Sequence, residues 1–366
     1  MSMSSSSRQQ LTSRLLALDV FRGLTIIAMI VVNSPGTYGE LSHAHWEGIL
    51  FADLVFPFFI LIVGVAIPLG FSKQLTDSAT QRTLLKKVWH RAVVMFALGL
   101  IVNLLYTQFE QIRVLGVLQR IAIVYLACCY LAIYCSIWQT VKIGAGILIS
   151  YWLLILLVPA PGIEAGSLER GHNLINWFDQ FAPGMLWRGA WDPEGVLSTL
   201  PAVSTGIIGM LMGHIVMQNR GQLYTTSAKL FILGFGCFAT GCIWSLAFPF
   251  IKQIWSSSFV LATGGIGAMI LGFIVWYTDI MRYRTGTYLP VIFGANAITA
   301  YVLHVVIEKL LDWPLSGTSL HALYQQLAHS AGLSGLVSAT LWVLLFLSIC
   351  TLPVWWLYRR HIFIKI

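Results

Sequence analysis

Asn33-Ser34-Pro35-Gly36, then Ser42-His43-Ala44-His45-Trp46-Glu47-Gly48, then Ala52-Asp53-Leu54-Val55-Phe56-Pro57 make up a short polar connector between two long apolar runs. The runs on either side, 15–34 and 50–71, each have about the 20 residues that an α-helix needs to cross a hydrocarbon core. Similar runs recur near 90–106, 115–135, 141–158, 198–217, 228–248, 258–277, 287–308 and 335–358. The expected fold is therefore all-α, a polytopic membrane helical bundle with about ten transmembrane helices.

Composition agrees. Of 366 residues, 57% are hydrophobic and 10% charged, against about 45–50% apolar and about 25% charged in soluble domains. Mean hydropathy is +0.79. Residues 1–13 are polar and Ser-rich, and read as a disordered tail. Residues 14–366 read as a single membrane domain, because no polar segment is long enough to bury a core of its own. The run 15–34 is too long for a signal-peptide core, carries Asp19 and Arg22, and lacks a small-x-small cleavage site.

The net charge of +8 is distributed as a membrane protein distributes it, which argues against nucleic acid as a partner. With the N-terminus inside, Arg8, Arg14, Lys73, Arg82, Lys86, Lys87, Arg91, Lys142, Arg220, Lys229, Arg282, Arg284, Arg359, Arg360 and Lys365 fall on the cytoplasmic side. The opposite side receives Arg113, Arg170, Arg188, Lys252 and Lys309. This bias places both termini in the cytoplasm. It puts the His43 connector outside, together with the long extracytoplasmic loop 159–197, whose Trp177, Trp187 and Trp191 suit an interfacial belt. The six cysteines form no CxxC and have no His at metal spacing, so no metal or disulfide framework is expected.

Ionisable groups inside spans mark function or a structural pair. Asp19 and Arg22 stand three residues apart on the first helix, either as an orienting ion pair or with Arg22 as an anion ligand. Gln119 and Arg120 lie at one depth of the fourth helix, with Arg120 either snorkelling outward or lining a polar passage. Asn296 and His304 sit on the ninth helix. Asp192 and Glu194 precede the sixth, where Asp192 also fits an N-cap and Glu194 the helix dipole.

Histidine titrates near neutrality and serves as general base or as acyl carrier. His43 and His45 are two residues apart, so at most one is expected to be central. Asn33 ends the first helix at their face and Asp53 begins the second. Composition and intramembrane charges alone also suit a secondary transporter.

The chain resembles the heparan-α-glucosaminide N-acetyltransferase family. The specific part is His43-Ala44-His45-Trp46-Glu47-Gly48 followed by Ala52-Asp53-Leu54-Val55-Phe56-Pro57, similar to the family's His-Ala-x-Trp-x-Gly…Ala-Asp-Leu-Val-Phe-Pro signature. Leu18-Asp19-Val20-Phe21-Arg22-Gly23, Val117-Leu118-Gln119-Arg120, Asp192-Pro193-Glu194-Gly195, Ala339-Thr340-Leu341-Trp342-Val343-Leu344 and Ile362-Phe363-Ile364-Lys365-Ile366 match in order. Animal members carry an N-terminal lumenal domain with no counterpart in these 366 residues, and Pro35 and Glu40 stand where they have an aromatic-rich, basic stretch.

The resemblance implies a transmembrane acyltransferase domain over 14–366. It would move the acetyl group of cytoplasmic acetyl-CoA to the amine of a glucosamine-like sugar. His43 is then the active-site histidine, as general base or acetyl carrier. Asn33 lies at the acetyl group, and Asp53 or His304 orients the ring. Arg22, Gln119, Arg120, His304 and Asn296 are expected along the acetyl-CoA path, and Trp46, Glu47, Asp192 and Glu194 around the sugar. A homodimer in lipid, in a bacterial cytoplasmic (inner) membrane, is also implied. An O-acetyltransferase of an envelope polysaccharide keeps the same chemistry with a different acceptor.

Overall fold

The computed structural model describes residues 15–34, 41–71, 78–313 and 318–364. The tail 1–13, Arg14, Pro35, Gly36, Glu40, Lys73, Lys365 and Ile366 lie outside the described residues. Among those described there is no β-strand, only isolated bridges.

The helices are α1 (Leu16–Val32), α2 (Phe51–Phe71), α3 (Ser78–Tyr106), α4 (Val117–Tyr134), α5 (Ile137–Leu157), α6 (Leu174–Asp179), α7 (Thr199–Gln218), α8 (Leu223–Trp244), α9 (Ser257–Ile274), α10 (Tyr288–Ala295), α11 (Ala297–Asp312), α12 (Leu320–Ser330) and α13 (Gly335–Arg359). A π-helical turn, Val275–Ile280, prolongs α9. Among the described residues eight helices are long and apolar enough to cross a membrane, nine if α10 and α11 count as one. With 17 residues, α1 stands at the short end of what a span requires, about 17–25.

Each expected run therefore corresponds to an element, with one revision. The run 287–308 is not one helix: α10 and α11 meet at 91°. The backbone of Pro290 lies against Gly23 and that of Asp19 against Gly294. So α10 runs antiparallel to the first half of α1, returning the chain at Asn296 to the end of the bundle where α1 begins.

Between spanning helices there is little hydrophobic force, and close packing of small residues substitutes for it. The most extensive contacts, α8 on α9 and α2 on α7, follow that rule. A methyl group added at Gly64 of α2 would collide with the carbonyl of Gly206 of α7, and one at Gly209 with the carbonyl of Leu61. Gly234 and Gly265 meet in the same way between α8 and α9.

Reversal of the chain after each helix sorts the connectors. Residues 41–50, 107–116, 158–198 and 245–256 gather at one end, the loop end. Residues 135–136, 219–222, 281–287 and 360–364 gather at the other, the tail end, where Ala17 N–H donates to Asp279 Oδ2 at 3.2 Å. The loop-end connectors are stitched together: Gly48 N–H donates to Phe250 O at 2.8 Å, Trp46 Nε1–H to Leu168 O at 2.8 Å, and Met185 N–H to Ile112 O at 2.8 Å.

Candidate active site

Asp53 stands in the first turn of α2 and is fully buried. Its Oδ2 accepts the backbone N–H of Ala44 and of Leu50, each at 3.0 Å, which folds the connector back over the helix start. Oδ1 is thereby left for side chains, and His43 Nδ1 lies 2.9 Å from it. The His43 side chain keeps 48% of its surface, so the ring is anchored on one edge and open on the other. With the Nδ1 proton donated to Asp53, Nε2 holds a lone pair for a proton or an acyl group, the arrangement in which a carboxylate orients an imidazole base.

Lys252 completes the cluster. Its Nζ is 3.4 Å from Asp53 Oδ1, 2.9 Å from His43 Nδ1 and 3.4 Å from Nε2. Burial pushes this ammonium below the ordinary lysine range, and the Asp53 carboxylate pulls it part of the way back. Sequence reasoning assigned Lys252 no role in the site, counting it only among the basic residues of this side. It lies 209 residues from His43, and no local motif marks it.

The remaining residues of the connector are partly committed elsewhere. Trp46 gives its N–H to Leu168 O and meets Trp191 edge-on, ring centroids 5.5 Å apart. Glu47 is bridged through its backbone to Ile251, and its side chain is exposed. His45 faces Arg170, 3.3 Å from its guanidinium. Asn33, exposed, caps the end of α1 with its N–H on Met29 O at 3.0 Å.

Asp192 does not cap a helix, because α7 begins seven residues later at Thr199, preceded by Ser198. Instead Asp192 accepts two hydrogen bonds from Arg113, Nε to Oδ2 at 2.8 Å and Nη2 to Oδ1 at 2.6 Å, and the N–H groups of Trp187 and Glu194. Burial would raise its proton affinity, but Arg113 and those N–H groups hold it below the usual carboxylate range. Glu194, half-buried, shares the same guanidinium. Asp179 accepts the N–H groups of Asp192 and Val196 at 3.3 and 3.0 Å, and burial pushes it up to about 7.

Arg120 is fully buried beside this network. It donates through Nη2 to Gly195 O at 3.1 Å and to Ser198 Oγ, and lies over the Trp255 ring, 5.0 Å from its centroid. Its Nε and Nη1 have no hydrogen-bond partner among the described residues, nor do the amide atoms of Gln119.

A cavity of about 950 Å³ opens among α1–α4, α10, α11 and the tail. Lys86, Lys87 and Arg91 of α3, with Arg22 of α1, supply its cationic wall, and His90 lines it beside them. Phe59, Val117, Ile121 and Tyr301 line it with apolar and aromatic surface. Arg22 also donates to Asp19 Oδ1 at 3.2 Å and to Gly294 O at 3.3 Å. Of the five residues expected along an acetyl-CoA path, Arg22 is the one that lines this space. Gln119, Arg120, Asn296 and His304 stand behind neighbours that do.

His304 is buried, with Nδ1 2.6 Å from Tyr301 O and Nε2 unpartnered among the described residues. Asn296, at the bend, is engaged at both ends of its amide: Nδ2–H donates to Ile362 O and Oδ1 accepts Ile364 N–H, each at 3.0 Å. It thereby holds Phe363 and Ile364 against the cavity.

The family profile described as heparan-alpha-glucosaminide N-acetyltransferase, catalytic, matches residues 14–254. Heparan-alpha-glucosaminide N-acetyltransferase of Mus musculus is 27% identical over 428 residues, covering 98% of this chain and 62% of the relative. The Homo sapiens protein of the same name is 28% identical over 417 residues, covering 97% and 60%. The chain thus spans about three fifths of the length of these curated relatives. The matched region contains His43, Asp53, Lys252, the Arg113–Asp192 network and most of the cavity wall, and on that match the chain belongs to the heparan-alpha-glucosaminide N-acetyltransferase catalytic family.

Proposed function

We propose that the protein is a transmembrane acetyltransferase that moves the acetyl group of acetyl-CoA onto the amine of a glucosamine-like sugar. The observation that carries the reading is a division of chemistry along one helix. On α2, Asp53 holds His43 at the loop end and Phe59, six residues on, lines the cavity, a rise of about 9 Å.

The cavity is of the size that small-molecule sites have, about 300–1,000 Å³. Its lysines, arginines and histidine suit the phosphates of CoA, and its apolar wall suits the pantetheine arm. Positive-inside bias then assigns the tail end and both termini to the cytoplasm, where acetyl-CoA is made. His43 faces the opposite side, in a bacterial inner membrane.

In the reaction, His43 Nε2 takes a proton from the acceptor ammonium. The freed amine attacks the thioester carbonyl, the C–S bond breaks, and the CoA thiolate leaves, taking up the proton that the attacking nitrogen loses as it becomes an amide. In this reading Asn33 donates its side-chain amide N–H to the carbonyl oxygen as charge develops there. A two-step variant passes the acetyl group through Nε2 first.

Purified protein in detergent is expected to acetylate glucosamine from acetyl-CoA. His43→Ala is expected to lower kcat by about 10²-fold or more while acetyl-CoA still binds. Turnover that survives this substitution overturns the assignment.

A further inference from the structure

Lys252 is held as a working side chain is held. Its connector is pinned on both sides. Ile251 N–H donates to Ser256 Oγ at 3.1 Å, and Ser256 Oγ–H to Pro249 O at 2.8 Å. Across the gap, Gly48 N–H donates to Phe250 O and Gln253 Nε2–H to Ala44 O at 3.4 Å. A lysine whose only task was to reach solvent would need none of this.

The groups it meets define what it does. Asp53 Oδ2 is occupied by two backbone N–H groups, so Oδ1 is the oxygen shared between His43 and Lys252. His43 Nδ1 lies 2.9 Å from both Asp53 Oδ1 and Lys252 Nζ, and a ring nitrogen makes one such bond at a time. If Nδ1 carries the proton, it donates to Asp53, and the ammonium turns to the same carboxylate. If Nδ1 carries the lone pair, the ammonium donates to it and Asp53 loses its imidazole partner. Burial lowers the proton affinity of Lys252 and the adjoining Asp53 carboxylate raises it, while Glu194 and Arg120 act from farther off and with opposite signs.

We propose that Lys252 is a positioning residue for His43: its ammonium balances the Asp53 carboxylate, and so keeps the ring uncharged with its proton on Nδ1 and its lone pair on Nε2. A fixed positive charge about 3 Å from the ring opposes a second one on it, whereas Asp53 alone would favour the imidazolium. The inference rests on the reading that His43 carries the chemistry.

The test uses the full-length protein with Lys252→Met and Lys252→Arg. Two pH dependences are read: acetyl transfer from acetyl-CoA to glucosamine, and modification of His43 by diethyl pyrocarbonate, which attacks neutral imidazole, followed by peptide mass spectrometry. In Lys252→Met the acid limb of both is expected to move to higher pH by about one unit or more. In Lys252→Arg, which keeps the charge, it is expected to stay near wild type. An unmoved limb in Lys252→Met overturns the inference, however far the rate has fallen. Lys252→Gln replaces the Met variant if that one does not accumulate. If wild-type protein transfers no acetyl group, the functional reading fails, and the modification arm still decides the role of Lys252.

Discussion

Two buried carboxylates of the 158–198 connector show how one short sequence is divided between opposite electrostatic tasks. Asp192 faces Arg113 and is held ionised; Asp179 faces mainly backbone N–H groups and is pushed up to about 7. A carboxyl raised in the folded state contributes stability that is fully present below its unfolded value near 3.8. That contribution is lost as pH rises through about 7. The thermal midpoint of Asp179→Asn, relative to wild type, is therefore expected to improve as pH rises from 4 to 7 and to level off above, read by melting in detergent. A difference independent of pH would contradict this. His43 and Asp53 are ten residues apart, so a motif could display them together. Arg113 and Asp192 are 79 apart and Lys252 and His43 209 apart, so those partnerships exist only once helices have brought the connectors to one end.

At the scale of elements, the break between α10 and α11 is the main departure from the simple reading of apolar runs. Hydropathy registers a continuous segment over 287–308 because each half is apolar; it does not register a 91° bend. At the bend the Asn296 side chain takes up Ile362 and Ile364 of the tail. Asn296→Ala removes both bonds and is expected to loosen the wall formed by Phe363 and Ile364. Its KM for acetyl-CoA should rise several-fold, with kcat within about twofold, because His43 is at the other end. A fall in kcat at unchanged KM would assign Asn296 to the reaction itself.

For the whole molecule, the cationic wall and the His43 cluster stand at different depths. Binding and chemistry are thus expected to respond differently to salt and to substitution. Lys86→Gln with Lys87→Gln should weaken acetyl-CoA binding by about tenfold at low ionic strength and less at high salt, while His43 modification by diethyl pyrocarbonate stays unchanged. Loss of the salt dependence in the doubly substituted protein, measured by equilibrium binding, is the expected signature. Equal affinity in wild-type and variant protein would place the phosphates elsewhere.

What the sequence by itself determined is set by patterns local to the chain. Helices of spanning length follow from runs of apolar residues, their sidedness is expected from the loop charges, and the family follows from the His43–Pro57 signature. Neighbouring residues carry that information because hydrogen bonds within a helix, and those of Asp53 Oδ2 to Ala44 and Leu50, need no distant partner. Only the tertiary structure decided which polar groups are consumed and which remain available. Asp192 is spent on Arg113 and Asn296 on the tail, while Lys252 reaches His43 from a connector 209 residues further along the chain. In a low-dielectric interior every such group must find a partner wherever the fold supplies one, and where that is depends on packing between helices, not on position along the chain.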